Sequence, residues 1–348
     1  MDAVYVLDPG SYIRREGASL KIFKGKELID QIPATGLKRL MLIGYVSLTG
    51  GVLDFLIQNR VETVFMTPTG RFRARLALDE HRHVERRKAQ YLHLSKPHFA
   101  LQTARIMVGG KISNMIRFLM LRSRQYDQAP LRLAASQLKG LSRHLQDASD
   151  LDVLRGLEGT ASRVYFEVFK CLIKNPAFHF NGRNRRPPLD PVNALLSFVY
   201  TLLTNEVLSA IKARGLDPYL GALHEVAYGR PSLACDLVEE YRCFLGDRLV
   251  LGLINRKAVQ ADDFVCRKKA PKTFVDEEEM KKKRPVEMKP AISRAFIAAY
   301  EESMKRSIRY PPEGRKVTYR WLIQSQVQRF AGYLAEPEKA YQPFTWET

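Results

Sequence analysis

A histidine and a group of acidic residues lie close together in segment 216–242. His224 ends an apolar, turn-rich stretch, and the helix predicted after it carries Asp236, Glu239 and Glu240. Because these acids stand at positions i, i+3 and i+4, a helix brings them near one face. An imidazole together with carboxylates suits a divalent ion that accepts both nitrogen and oxygen, such as Mn²⁺ or Mg²⁺. The segment therefore predicts a metal site.

Each of these residues also has a purely structural explanation. The acids could form an exposed helix start, where carboxylates interact favourably with the helix dipole, and His224 could be a satisfied core residue. Apolar neighbours favour partial burial of the acids instead. Glu158 lies between Gly156 and Gly159, and these glycines would let a ligand or another chain segment approach the acid closely. An ordinary glutamate in the first turn of a helix is the alternative.

The chain of 348 residues is strongly basic, with a net charge of +19 and a pI near 9.8. Such an excess of positive charge favours a polyanionic partner. Nucleic acid is the favoured partner, and an acidic membrane surface is the second choice. The alternative is a basic surface without such a partner. Residues 81–125 hold ten Lys or Arg and a single acid, Glu85. They could neutralise phosphates or form a solvated helix face. Together with the metal site, this charge indicates that the ion acts on a phosphodiester.

The candidate DNA-binding residues lie in this basic segment and in an arginine-rich loop. The loop follows Asn181-Gly182 and ends at two prolines, which stop a helix. Its contacts would be to phosphates rather than to bases. Tyr165 is predicted to share a helix face with Glu158, where it could touch DNA or orient a hydroxyl, and a core position is equally consistent. The candidates are Arg86, Arg87, Lys88, Lys111, Arg117, Arg183, Arg185, Arg186 and Tyr165.

Length and composition predict a two-domain α+β protein of the cytoplasm. Apolar residues make up 45% of the chain, enough for sizeable cores. The four cysteines form no C-x-x-C pair, which argues against a structural zinc site, and the chain opens without a secretory signal pattern. The longest apolar stretch, 194–204, is near 11 residues, whereas a spanning helix needs about 20. It is therefore predicted to be a buried helix.

Residues 1–80 are predicted to form a small β-rich domain, and residues 83–348 a larger α-helical domain. Short β-branched runs separated by turn residues predict strands in the first domain, including a hairpin across Lys24-Gly25-Lys26. From residue 83 onward the apolar residues repeat with a period of 3.6, which is typical of amphipathic helices.

Three local predictions concern the helical domain. Helices are predicted over 99–108 and 111–124, separated by Gly109-Gly110. Asp190-Pro191 is predicted to begin the long apolar helix, as cap and first helical residue. Residues 276–284 are predicted to form a surface helix with i,i+4 ion pairs.

Blocks of this sequence resemble a known family. The two best marked are GLEGTASRVYF at 156–166 and LDPYLGALHEVAYGRPSLACDLVEEYR at 216–242, and a weaker one is ARIMVGGKISN at 104–114. In these blocks, and in a β-rich start followed by helices, the chain resembles the CRISPR-associated protein 1 family, the integrase of spacer acquisition. The long block is the most specific, since its histidine is followed by R-P-S-L-x-x-D-L-x-E-E-x-R.

The resemblance implies a site made of Glu158, His224 and Glu239, which would be both metal ligands and catalytic residues. Asp236, one turn before Glu239, would be a supporting acid, and Glu240 a substitute ligand. The resemblance also implies a homodimer formed through the β-rich domain, a catalytic α-helical domain, and a small ferredoxin-like CRISPR-associated partner protein.

The implied activity is that of a metal-dependent DNA integrase and endonuclease that uses Mn²⁺ or Mg²⁺. The 3′-hydroxyl of a short DNA duplex would attack a phosphodiester at the edge of a CRISPR repeat, and water in place of the hydroxyl would cut branched DNA. Two other classes stay open. One is a stand-alone nuclease for branched DNA, and the other is a DNA-binding scaffold whose acidic cluster is only structural.

Overall fold

The computed structural model describes residues 3–67, 72–76, 83–126, 128–184, 187–266 and 286–346. The contacts divide the chain into two compact units. The first comprises Met1–Glu80, Asp263–Cys266 and Glu287–Ala299, and the second comprises His81–Asp262, Arg267–Val286 and Tyr300–Thr348. Two short segments beyond residue 83 thus pack with the β-rich unit, an arrangement that local periodicity does not encode. The surface helix predicted at 276–284 lies outside the described residues.

The first unit is built mainly from strands. They are β1 (Ala3–Val6), β2 (Ser11–Glu16), β3 (Ser19–Lys24), β4 (Glu27–Pro33), β5 (Arg39–Ile43), β6 (Ser47–Leu48), β7 (Glu62–Met66) and β8 (Phe72–Arg75), with helix α1 (Gly50–Gln58) before β7. Two four-stranded sheets result, in the orders β1-β5-β7-β8 and β4-β3-β2-β6. Fully buried Leu20 and Leu40, one from each sheet, share a core with Leu56 of α1. The predicted hairpin joins β3 to β4 and turns at Gly25, whose φ is 61°.

The second unit is mostly helical. Its helices are α2 (Val84–Leu94), α3 (Pro97–Tyr126), α4 (Ala129–Arg143), α5 (Leu151–Phe169), α6 (Pro191–Ala213), α7 (Ser232–Tyr241), α8 (Arg248–Asn255) and α10 (Tyr319–Ala335), while α9 (Pro290–Lys305) contributes to both units. A π-helical turn, Arg242–Asp247, joins α7 to α8. Short strands complete the fold: β9 (Phe264–Cys266) pairs with β10 (Val286–Met288), and β11 (Ser307–Tyr310) with β12 (Arg315–Thr318). The predicted α+β class is confirmed.

The predicted break at Gly109-Gly110 is wrong, because α3 runs through both glycines as one helix of 30 residues. Glycine in a helix interior costs roughly 0.5–1 kcal/mol relative to alanine. Tertiary packing explains its use at Gly110, where a Cβ would lie 2.6 Å from Cβ of Pro343. The C-terminal segment can approach α3 this closely only because the helix has no side chain there.

The long apolar helix α6 begins as predicted. Oδ1 of Asp190 accepts a hydrogen bond of 2.8 Å from the backbone N–H of Asn193, and Pro191 occupies the first turn. This helix is long and apolar enough to cross a membrane, but 78% of its apolar window is buried inside the protein. It is the central core helix of the second unit, in contact with α7 and α10.

Candidate active site

Three helices and one loop bring the candidate site residues to a single cavity of about 650 Å³. α5 is capped by Asp150, which accepts backbone hydrogen bonds of 2.9 Å from Asp152 and Val153, and it carries Glu158 two turns later. α7 carries Glu239, and the loop between α6 and α7 carries His224. α3 contacts both α5 and α7 and contributes a residue that the sequence did not assign to the site.

That residue is Lys111, which bridges the two acids. Its Nζ donates a hydrogen bond to Oε1 of Glu158 and lies 2.8 Å from Oε2 of Glu239. Nη1 of Arg242 lies 3.0 Å from the other oxygen of Glu239, and Ser162 donates a 2.9 Å hydrogen bond to Glu158. Two carboxylates from helices far apart in sequence are thus held together by one ammonium group.

The charge of this cluster is balanced despite burial. Burial alone raises the pKa of Glu239, but Arg242 and Lys111 more than offset it and lower the pKa to about 2. Burial likewise opposes ionisation of Glu158, and Lys111 brings the pKa of that carboxyl below its usual range. The two acids in turn raise the pKa of Lys111 against the effect of burial. Both glutamates are therefore carboxylates, and the lysine is an ammonium, at neutral pH.

His224 is held by Asp236, which is fully buried. Nδ1 of the imidazole lies 2.6 Å from Oδ1 of Asp236. The same carboxylate accepts the backbone N–H groups of His224, Ala222 and Leu223, at 3.0, 2.6 and 3.1 Å. Because this acceptor takes the proton on Nδ1, Nε2 is the nitrogen with a free lone pair for an ion.

A glycine makes this arrangement of the loop feasible. A Cβ on Gly221 would lie 2.3 Å from Oδ2 of Asp236 and 2.8 Å from the carbonyl carbon of Ser232. Asp236 therefore serves as a supporting acid that shapes the loop and orients the histidine. All of its close contacts in this region are made to the loop rather than to the cavity acids.

Glu240 points away from the cavity, which corrects its candidate role as a substitute ligand. Its carboxylate accepts hydrogen bonds from Tyr341 at 2.5 Å, the backbone N–H of Phe344 at 2.8 Å and Gln326 at 3.1 Å. Successive helix residues point about 100° apart, and here Glu239 lines the cavity whereas Glu240 does not. Burial, partly offset by these donors, raises the pKa of Glu240 to about 7.

Two candidate DNA contacts are also corrected. Tyr165 has no exposed surface, and its hydroxyl donates a hydrogen bond of 2.8 Å to Asp247. The core alternative therefore holds for this tyrosine, since a fully buried ring cannot contact DNA. Lys111 is 5% exposed and bound to the two acids, so it is not available to a phosphate in this arrangement.

The other basic candidates differ in their environment. Arg86 is half-buried and donates a 2.8 Å hydrogen bond to the carbonyl of Arg214, whereas Lys88 is exposed. Arg183 donates to Asn193 at 2.7 Å and lines the cavity. Arg87 and Arg117 are half-buried, and Arg185 and Arg186 lie outside the described residues.

The side chains fit a divalent ion by their chemistry, although Lys111 now stands between the two acids. Oε2 of Glu239 is buried, and besides its 2.8 Å ion pair with Lys111 it has no hydrogen-bond donor among the described residues, which leaves a lone pair for a cation. Two carboxylates and one imidazole are suitable donors for Mn²⁺ or Mg²⁺. Within the described ranges, no three His, Cys, Asp or Glu side chains lie close enough together to hold an ion as they stand. An ion would have to replace the ammonium of Lys111 at one of the acids at least.

Three residues around the two acids occupy sequence positions that point to the site. Lys111 belongs to the block at 104–114, Ser162 follows Glu158 by one helical turn, and Arg242 follows Glu239 by three residues. Asp247, which accepts hydrogen bonds from Tyr165 and Tyr200, had no such signal, because the π-helical turn that aims it at the cavity interrupts the 3.6 period.

Comparison with known proteins decides the family. Residues 4–284 match the family described as CRISPR associated protein Cas1. The chain belongs to the Cas1 family. It is 36% identical to CRISPR-associated endonuclease Cas1 1 of Chlorobaculum tepidum, over 99% of this chain and 98% of that protein. It is 34% identical to CRISPR-associated endonuclease Cas1 3 of Thermus thermophilus, over 98% and 96% of the two chains. The resemblance seen in the sequence blocks is confirmed.

Solved structures share the Cas1 fold with this chain. A Cas1 protein from Thermotoga maritima has a TM-score of 0.80 at 24% identity, over 99% of this chain and 100% of that one. A casposase bound to integration product has a TM-score of 0.82 at 22% identity, over 98% and 93%. A chain of a Cas6-RT-Cas1–Cas2 complex has a TM-score of 0.82 at 22% identity, and this chain spans 36% of its length.

Proposed function

We propose that this Cas1 chain is a metal-dependent DNA integrase and endonuclease of CRISPR adaptation, which joins the 3′-hydroxyl ends of short DNA duplexes to a CRISPR repeat. The observation that carries the proposal is one cavity lined by Glu158, His224 and Glu239, which come from three separate parts of the chain. The endonuclease names of its relatives support the same reaction class.

In this reaction the oxygen of the 3′-hydroxyl forms a bond to phosphorus as the bond to the leaving oxygen of the repeat strand breaks. The hydroxyl proton ends on the leaving oxygen, so the transfer is balanced without a further reactant. Water as the nucleophile gives hydrolysis, which is the nuclease reaction. Positioning supplies much of the rate, because phosphoryl transfer depends on in-line geometry more than on covalent help from the protein.

Glu158, Glu239 and Nε2 of His224 would hold the Mn²⁺ or Mg²⁺ ion. A bound ion of this kind supplies charge stabilisation at a phosphoryl oxygen and lowers the pKa of a hydroxyl. Asp236 contributes by fixing the ring of His224, and Arg242 contributes by keeping Glu239 ionised. Both effects prepare the donors before DNA arrives, so little reorganisation is needed in the reaction.

The wall of the cavity offers cations to the DNA backbone. Glu158 and Arg163 lie on α5, Lys170 is the C-cap residue of this helix, and all three line the same cavity. Both basic side chains are exposed, and they are seven residues apart, about two helical turns. We assign phosphate contacts to these two residues, in addition to the remaining candidates in 81–125 and in the arginine-rich loop.

The proposal also includes the oligomeric state and the partner protein. We expect a homodimer formed through the β-rich domain and a small ferredoxin-like CRISPR-associated partner, acting in the cytoplasm on double-stranded and branched DNA. The shared fold with a chain of a Cas6-RT-Cas1–Cas2 complex supports a partner of this kind.

A joining assay tests the function. A labelled short duplex is incubated with a repeat-bearing plasmid, Mn²⁺ or Mg²⁺, and the partner protein. We expect joined product with the wild type and none with His224→Ala. A matched control is His144→Ala, because His144 also pairs with an aspartate, Asp147 at 3.3 Å, but its side chain is 67% exposed.

The alternatives give different products in the same assay. Cutting of branched DNA without any joining would contradict integration and identify a stand-alone nuclease. Salt-sensitive binding without a metal-dependent product would identify a scaffold. Joining that survives His224→Ala would contradict the assignment of the site.

A further inference from the structure

The proposed reaction uses Glu158 and Glu239 but leaves the role of Lys111 open. This lysine lies on α3, in the block at 104–114, and its side chain is 6% exposed. A buried lysine must be paired, since an isolated ammonium in a protein interior is strongly unfavourable. Its partners are the two acids that are assigned to the ion.

The ammonium and a divalent ion need the same oxygen atoms. Nζ contacts Oε1 of Glu158 and Oε2 of Glu239, one oxygen from each acid. The contact of Nζ with Oε2 of Glu239 is a buried ion pair of 2.8 Å. Its attraction comes from charge, so an incoming cation of higher charge can replace the ammonium there.

Arg242 does not share this position. It pairs with Oε1 of Glu239 from the next turn of the chain and contacts no oxygen of Glu158 in the described pairs. Its guanidinium also lies 5.0 Å above the ring of Tyr200. An ion that enters between the two acids would therefore meet Lys111 first and could leave Arg242 in place.

We propose that Lys111 is a resident cation of the metal site, which holds Glu158 and Glu239 together without the ion and must withdraw from at least one of them when the ion binds. Lys111 is thus a positioning residue that lowers the affinity of the site for Mn²⁺ or Mg²⁺ and stabilises the ion-free protein. The inference rests on the proposed function, because it takes the two acids to be ligands.

The test compares Mn²⁺ binding by the wild type and Lys111→Gln, followed through the EPR signal of the free ion. Removal of a competing unit charge a few ångströms from the ion should tighten binding about tenfold or more. In chelator the variant should unfold at a lower temperature than the wild type, and added Mn²⁺ should raise its unfolding temperature by a larger increment. Equal or weaker Mn²⁺ binding by the folded variant would overturn the inference.

A matched control comes from Arg320, another cation between two glutamates. It lies 3.1 Å from Glu206 and 2.9 Å from Glu301, and it is absent from the cavity lining. Arg320→Gln should lose stability without tighter Mn²⁺ binding. A gain equal to that of Lys111→Gln would overturn the inference, since any pair of freed carboxylates would then suffice.

A second variant, Lys111→Arg, tests the inference if Lys111→Gln does not fold. Lys111→Arg keeps the charge, and a guanidinium holds carboxylates through a planar fork of donors. It should bind Mn²⁺ about tenfold more weakly than the wild type, and binding as tight as the wild type would overturn the inference. A wild type that binds no Mn²⁺ would contradict the proposed function itself, which separates the two failures.

Discussion

Asp236 and His224 form one unit, in which a single buried carboxylate fixes both the imidazole and the loop that carries it. Oδ1 lies 2.6 Å from Nδ1 of the ring, and the two carboxylate oxygens together accept three backbone N–H groups of the loop. Partners of this kind fix the tautomer and orientation of a metal-binding histidine. The position of His224, the third proposed ligand, therefore depends on a carboxylate that faces the loop rather than the cavity.

Replacing this carboxylate tests the dependence. Asp236→Asn loses one acceptor and brings in a donor, so we expect Mn²⁺ affinity and joining to fall about 10–100-fold. Isothermal titration and the joining assay measure the two effects. The control is Glu225→Gln, in the same loop but with a side chain that is 72% exposed; it should stay within twofold of the wild type. A similarly small effect of Asp236→Asn would contradict the positioning role.

Gly221→Ala should destabilise the protein, because the new Cβ would meet Asp236 and the backbone of Ser232. Overpacking of this kind costs typically 1–3 kcal/mol. Gly156→Ala is the matched control on α5: nothing lies within 4 Å of its Cβ, and alanine should gain roughly 0.5–1 kcal/mol in a helix. Urea unfolding gives both values. Equal stability of the two variants would show that the loop tolerates a side chain at Gly221.

Replacing the two adjacent glycines of α3 by alanine should affect the C-terminal segment at Gly110 but not at Gly109. Gly110→Ala places a Cβ 2.6 Å from Pro343, whereas the nearest atom to a Cβ at Gly109 is 3.8 Å away. We expect Gly110→Ala to displace the C-terminal segment and to shift the fluorescence of Trp346 to the red, since that ring now packs against Phe244 at 5.1 Å. Gly109→Ala should leave the emission unchanged. An unchanged spectrum for both variants would count against the close approach.

Local and long-range features differ in how well the sequence predicts them. The cap at Asp190 and the hairpin at Gly25 follow from short-range rules, and both are present. The break at Gly109-Gly110 was wrong because a distant segment, around Pro343, determines the use of glycine there. Spacing along one helix likewise could not decide that Glu240 faces the C-terminal segment rather than the cavity.

The sequence also predicts only part of the candidate site. The motif blocks predict site roles for Glu158, His224 and Glu239, and all three residues line one cavity. The sequence favours a DNA contact for Lys111, because this residue is one of ten basic residues in 81–125. Only the packing of α3 against α5 and α7 brings its ammonium between two acids, and no local pattern encodes that convergence.

The carboxyl of Asp247 makes a pH-dependent contribution to stability. Burial raises its pKa from 3.8 to about 6, although Tyr200 and Tyr165 donate hydrogen bonds to it at 2.5 and 2.8 Å. Because the pKa is higher in the folded state, the contribution is fully present below 3.8 and is lost as the pH rises through about 6. A shift of this size corresponds to about 3 kcal/mol.

Asp247→Asn removes this ionisation. Relative to the wild type, we expect the variant to gain stability by up to about 3 kcal/mol between about pH 4 and about pH 7. Guanidinium unfolding over that range measures the difference, with Asp152→Asn, whose side chain is 87% exposed, as the surface control. A difference between Asp247→Asn and the wild type that stays constant with pH would contradict the buried ionisation.

Glu158, His224 and Glu239 are proposed to converge on one divalent ion, and a crystal soaked in manganese would show whether they do. We expect one anomalous peak roughly 2.0–2.3 Å from a carboxylate oxygen of each glutamate and from Nε2 of His224. A peak bound elsewhere, or a His224 ring more than about 8 Å from both acids when the ion is present, would contradict this shared site, because coordination bonds are only about 2 Å long.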